Sequence, residues 1–326
     1  MVALAITTSC FTVSAVAQSG TTPSGRGAAR PKPRVFAPGV LTTIPVDLHP
    51  EETVSAHEII ELRANKQLDW EPKLSSKTRT LFSRAEEARY RRDVWCLEFS
   101  FKPLRMIWVD LPKAGGGTEK TLVWYLVYQV RNTGQTLKPT DPSVLQENFD
   151  TAPAPVRSEQ GRQFIPHFVL EGHELNIGGQ RLYRAYLDRV IPAALEPIRR
   201  REVPGRDLHT SVSIVKQPIP AAGERDAEGV WGVAMWQGVD PDLDFFSVYV
   251  RGLSNAYQWA DTPDAYQLGD APGKGRNFVR KTLHLCFWRP GDRFLEHESE
   301  VHFGAPLGKE SLYGVDEGVA HRWIYR

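Results

Sequence analysis

From Asp93 onward hydrophobic and polar residues alternate. Trp95, Leu97, Phe99 and Phe101 fall on one side of the chain, with Cys96, Glu98, Ser100 and Lys102 on the other. A period of two predicts an extended strand with one buried face. Pro103 interrupts the pattern and Met106-Ile-Trp-Val109 resumes it. Thr121-Leu-Val-Trp-Tyr-Leu-Val-Tyr-Gln-Val-Arg131 is apolar at nearly every position, which predicts a central strand covered on both sides. Asn132-Thr-Gly134 supplies the turn chemistry to end it. Further strands are expected over 163–171, 181–187, 211–217, 230–238, 244–253, 278–288, 294–303 and 320–325. So many strands with so few helices predict a mostly β chain, an antiparallel immunoglobulin-like β-sandwich over 93–326.

The period lengthens in two places. Residues 41–92 read as a helical segment packed on the sandwich: Ser55-Ala-His-Glu58 fits a capping box ahead of Ile59, Ile60 and Leu62. Leu81, Phe82, Ala85 and Ala88 then repeat at helical spacing over 76–89. One internal helix is expected over 190–203, with Pro192 in its first turn and Arg199-Arg-Arg201 at the negative end of its macrodipole. Pro197 inside it implies a kink or an early stop. The stretches 132–162 and 254–277 are rich in Pro, Gly, Asp and Gln and read as long loops.

The amino terminus adds a compartment. Met1 to Ala17 carries no charged side chain and ends in Ala15-Val16-Ala17 before a polar stretch, the pattern of a signal peptide without its basic leading region. Residues 18–40, rich in Gly, Ser, Pro and Arg, read as a disordered tether. No later stretch is long and apolar enough to be a transmembrane segment, so the mature chain is expected to be exported and periplasmic, cell-surface or secreted. The 40 Lys and Arg nearly balance the 39 Asp and Glu, giving no electrostatic reason to expect nucleic acid as a partner. Beyond the leader only Cys96 and Cys286 remain, a pair for which a disulfide and two buried free thiols both stay open.

Chemistry-bearing motifs are sparse. The chain has no Gly-x-Ser-x-Gly elbow, no His-Glu-x-x-His, no phosphate loop, no Cys-x-x-Cys and no dinucleotide fingerprint. Asp240, Asp242 and Asp244 alternate and offer oxygen ligands to calcium, although no turn glycine or bidentate glutamate completes a loop; an Asp-Pro turn explains them as well. Glu296, Glu298, Glu300 and His302 share one face of an expected strand. His167 follows Pro166, which suits a strand edge or bulge. Of nine tryptophans, most fall in strands and read as core; Trp259, beside Tyr257 and Tyr266 in a loop-like stretch, offers a stacking platform of the sort that binds sugars.

The order Tyr125-Leu-Val-Tyr-Gln-Val-Arg-Asn-Thr-Gly134, Phe164-Ile-Pro-His-Phe-Val-Leu170, Trp231-Gly-Val-Ala-Met-Trp236 and Phe246-Ser-Val-Tyr-Val-Arg-Gly252 resembles bacterial exported domains of immunoglobulin-like type. From about 41 to 303 the chain resembles a group of uncharacterised exported proteins of planctomycete bacteria. The resemblance implies a sandwich and an exported location and brings no functional residues with it. The expectation is a binding or structural protein of the cell envelope with a protein partner and no catalytic role. Two alternatives stand beside it: polysaccharide binding through Trp259, Tyr257 and Tyr266, and hydrolysis by carboxylates such as Glu296, Glu298, Asp240 or Asp244.

Overall fold

The computed structural model describes residues 41–56, 89–139, 155–157, 161–175, 179, 182, 184–221, 229–262, 274–289 and 301–326. In chain order its strands are β1 (Thr42–Ile44), β2 (Val54–Ala56), β3 (Arg89–Arg91), β4 (Val94–Trp95), β5 (Glu98–Phe101), β6 (Arg105–Pro112) and β7 (Thr118–Arg131). Then come β8 (Gln135–Leu137), β9 (Pro155–Arg157), β10 (Arg162–Gln163), β11 (His167–Gly172), β12 (Arg184–Leu187), helix α1 (Pro192–Glu202), β13 (His209–Thr210) and β14 (Pro218–Ile219). The chain continues through β15 (Val230–Gln237), β16 (Phe245–Arg251), β17 (Tyr257–Asp261), β18 (Arg276–Trp288), β19 (His302–Phe303), the single-turn α2 (Glu310–Tyr313) and β20 (His321–Tyr325).

Two large sheets face each other. The first runs β1-β5-β7-β15-β13, with β6 also paired to β7; the second runs β12-β11-β16-β18-β17, with β19 and β20 also on β18. Every strand pair in them is antiparallel except β13 with β15. Side chains from the two inner faces meet in one buried core: Trp124 of β7 meets Phe246 of β16 with ring centroids 5.4 Å apart, and Tyr128 meets Phe168 at 4.9 Å. The chain is thus an antiparallel β-sandwich, as its alternating pattern predicts. Gly232 has a local reason to be glycine, because a Cβ there would lie 2.3 Å from the Tyr128 ring.

Both outer faces are covered as well. Helix α1 lays Ala194 and Ile198 on Val123, Tyr125, Val127, Val233 and Met235 of the first sheet, which is why β7 is apolar on both sides. Pro192 opens that helix and the three arginines close it, as the sequence predicts. Its last residue, Glu202, is fully buried and accepts hydrogen bonds from Tyr125 Oη (2.8 Å) and Arg105 Nη1 (3.1 Å), while Lys102 Nζ donates to its backbone carbonyl. The second sheet's outer face is covered by the C-terminal stretch around α2, where Tyr313 and Val315 pack on Cys286.

Three expectations need correction. Residues 41–56 and 89–92 hold no α-helix and only a 3-10 turn at Pro50–Thr53: β1 joins the first sheet beside β5, and Ser55, read as a helix cap, pairs with Tyr90 between β2 and β3. The helices expected at 59–62 and through 88 lie outside the described residues. The stretch 211–217, expected as a strand, is a turn leading into a 3-10 helix at Ile214–Lys216, held by hydrogen bonds between Thr210 and Ser213. The two expected loops also hold strands: 132–162 contains the paired β8 and β9, and 254–277 contains β17, extended because β18 reaches past β16 and offers it a partner.

Candidate functional site

Where β17, the turn at Pro50–Thr53, Arg92 and the end of β20 come together, they enclose a pocket of ≈ 320 Å³. Its lining includes Glu51, Glu52, Arg92, Tyr257, Trp259 and Tyr325, completed by Val54 and Gln258. Tyr257 and Trp259 stand two apart on β17 and so project from the same face of the strand. Arg280 and Phe278 of β18 sit directly opposite them. The sequence picked out both aromatic residues, and the structure brings them into one cavity. Tyr266 lies outside the described residues.

The rings are not a bare platform. The Arg92 guanidinium lies 3.7 Å over the Tyr257 ring, and that of Arg276 lies 3.9 Å over Trp259. Each contact of this kind contributes about 0.5–1 kcal/mol where water is near. Arg92 is held by two backbone carbonyls: Nε donates to Glu52 O (3.1 Å) and Nη2 to Tyr257 O (2.7 Å). Its Nη1 is shielded and has no hydrogen-bond partner among the described residues.

Behind the pocket lies a buried ionic cluster. Lys281, almost wholly enclosed, places Nζ 2.6 Å from Glu52 Oε1, 2.9 Å from Asp47 Oδ2 and 2.8 Å from Asp47 O, a partner for each of its three donors. Tyr325 Oη donates to the same Glu52 oxygen at 2.5 Å, and the His49 backbone N–H reaches Glu52 Oε2 at 3.2 Å. Burial, and after it the Glu52 carboxylate, pushes the Tyr325 phenol up, so it stays neutral and keeps its proton. Glu52 is therefore committed to protein partners and faces the pocket already neutralised.

A second cluster sits beneath the C-terminal cover. Ser247 Oγ lies 2.6 Å from Nε2 of both His173 and His284, all three groups being buried. Cys286 Sγ is 3.8 Å from His284 Nε2, and Tyr249 stacks on the His284 ring. This arrangement does not suit a metal. Arg322 Nε donates to His284 Nδ1 at 3.3 Å, whereas a histidine that ligates through Nε2 needs an acceptor there. Among the described residues no group of three or more His, Cys, Asp or Glu is placed to hold a metal ion. No local motif marks this cluster, since His173, Ser247 and His284 come from three strand segments and meet only through sheet register.

The other expected sites are dispersed. Asp240 takes Arg184 as an ion-pair partner and its Oδ1 accepts from the Asp242 backbone N–H at 3.0 Å, the bonding of an Asp-Pro turn between β15 and β16. Asp244 stands beside Arg289, so the three aspartates do not converge on one point. Glu296, Glu298 and Glu300 lie outside the described residues, and His302 stacks on Trp288 in β19. His167 is exposed at the start of β11, where β12 does not yet reach, consistent with the edge position expected after Pro166.

Of the two alternatives open for the thiols, the structure has the second: Cys96 and Cys286 are both free and buried. Cys96 lies at the β4–β5 junction opposite Ser254, within the field of Asp47 and Lys281, whereas Cys286 pairs with Ser247 on the outer face of the second sheet. Desolvation pushes both thiols up to about 12. No helix among the described residues is long and apolar enough to cross a membrane. Comparison with family models, with curated proteins and with solved structures finds no match to this chain.

Proposed function

We propose that the protein is an exported binding module, built on an immunoglobulin-like sandwich, that holds a sugar in the pocket of Tyr257, Trp259, Arg92 and Tyr325. The observation that carries this reading is the convergence of half-buried aromatic rings with fixed polar groups in one concavity. Sugars combine apolar C–H faces with a ring of hydroxyls, and pockets that hold them need both kinds of surface. The volume, ≈ 320 Å³, is at the small end for ligand sites and suits one or two sugar rings. Arg92 supplies a cation and Tyr325 an acceptor oxygen, and the protein sets the position of both before any ligand arrives. The uncharged Met1 to Ala17 segment with its Ala-x-Ala end supports export to a compartment where polysaccharide is abundant. The pocket moves the reading from a protein partner to a sugar.

The test is a glycan array probed with the mature protein and with the double variant Tyr257→Ala/Trp259→Ala. Binding to a defined set of glycans that the double variant loses is the expected result. Retention of every bound glycan by the variant would remove the pocket from the account.

A further inference from the structure

We infer that the sugar held at this pocket is acidic, its anionic oxygen group pairing with Arg92; this rests on the pocket reading above. The inference starts from the unequal charge accounts of the two ionic residues in the lining. Glu52 is neutralised by Lys281 at 2.6 Å and further satisfied by Tyr325 and the His49 N–H. Among the described residues Arg92 has no carboxylate partner: its Nε and Nη2 donate to neutral backbone carbonyls, and its Nη1 donates to none of them. Its positive charge is held in place by the fold without a counter-charge within salt-bridge distance among the described residues.

A ligand that enters removes water from this guanidinium. If the ligand is neutral, the charge is desolvated without compensation, which opposes binding. If the ligand carries a carboxylate or sulfate, the same burial strengthens the pair, because charge-assisted hydrogen bonds gain as water leaves. The surroundings agree in sign. Arg276 lies over Trp259 and Arg280 stands opposite Tyr257, so cationic residues flank both rings, and Glu51 is the exposed carboxylate in the lining. With Nε and Nη2 donating to Glu52 O and Tyr257 O, the N–H groups of Nη1 are the ones left to pair with an anionic oxygen. A uronic acid residue within a polysaccharide combines these demands: a ring for Tyr257 and Trp259, and a carboxylate for Arg92.

The test compares each acidic oligosaccharide with its own uncharged form by isothermal titration: oligogalacturonate, oligoglucuronate and oligomannuronate against their methyl esters, a sulfated galactan fragment against the unsulfated one, and neutral oligosaccharides alone. The expected result is about tenfold tighter binding of at least one acid over its matched neutral form, the worth of one charge-assisted pair. That preference should shrink as salt rises, and R92Q should abolish it while R92K keeps part of it. A preference in the carboxylate arm identifies a uronate; one confined to the sulfate arm identifies a sulfated sugar, and either supports the inference. Neutral forms binding as tightly as acids would overturn the acidic ligand and leave the sugar pocket standing. Binding of no oligosaccharide, acidic or neutral, would overturn both. The comparison is made on the unaltered protein, so it holds even if R92Q fails to fold.

Discussion

Arg322 donates its Nε–H to Nδ1 of His284 across 3.3 Å, and this single bond sets the direction of a buried chain. A guanidinium never accepts, so His284 Nδ1 must carry the lone pair and Nε2 the proton. His284 then donates to Ser247, whose hydroxyl hydrogen is left to point at His173 Nε2. His173 therefore keeps its proton on Nδ1. Side-chain ¹⁵N spectra at pH 7.5 should show His284 as the Nε2–H tautomer and His173 as the Nδ1–H tautomer. Either ring in the opposite form, or both rings charged, would refute the chain.

The cluster behind the pocket should be costly to break. Lys281 and Glu52 are both nearly excluded from water, and removing the cation leaves Glu52 and Asp47 facing each other without it. Lys281→Met is expected to lower unfolding stability by about 3 kcal/mol, the usual scale for orphaning one partner of a buried pair. Adding Glu52→Gln to it should recover part of the loss. Urea denaturation of the single and double variants measures both, and a single variant within 0.5 kcal/mol (roughly the scatter of a surface substitution) would contradict the role assigned to Lys281.

Both thiols should be silent in the folded protein. Cys96 and Cys286 are buried and pushed up to about 12, so neither is a thiolate at neutral pH. A thiol reagent at pH 8 is expected to modify neither in native buffer and both in 6 M guanidinium (about the concentration that unfolds most proteins). One fast-reacting thiol in the native state, or none on unfolding, would be inconsistent with this placement.

Acid should weaken the fold through its depressed histidines. Desolvation lowers the His321 pKa in the folded state, and the same cause, followed by Arg251, lowers that of His167. A depressed histidine favours its neutral form when folded, while the unfolded chain takes up its proton near pH 6.5. The stability associated with these groups is thus complete above about pH 6.5 and declines as pH falls from there toward the folded-state values. Thermal midpoints from pH 7.5 to 5 should fall for the wild type and fall less for His321→Gln. Parallel curves would show that His321 does not contribute.

The sandwich was legible because its signal is local. Trp95 to Phe101 alternate and residues 121–131 are apolar throughout, and these patterns became β4, β5 and the doubly covered β7. Helix α1 was legible for the same reason, with a proline at its start and arginines at its end. The region before β4 misled because Ser55-Ala-His-Glu58 satisfies a helix cap locally, whereas its backbone partner Tyr90 lies 35 positions on. Only half of the pocket could be read in advance. Tyr257 and Trp259 drew notice as aromatic residues in a polar stretch, but Glu52 meets Tyr325 across 273 positions and Arg92 meets Tyr257 across 165. No spacing rule joins residues so distant; only the sheet register does.

The central claim is that a sugar occupies the pocket beside β17, and the indole N–H of Trp259 reports on it most directly. Trp124 and Trp236 are sealed in the core and serve as internal references. In a ¹⁵N-labelled sample titrated with acidic oligosaccharide, the Trp259 indole resonance should move in a saturable manner with the backbone signals of Glu51, Glu52 and Gln258, while Trp124 and Trp236 stay fixed. An unmoved Trp259, or shifts confined to another part of the sandwich, would contradict the account.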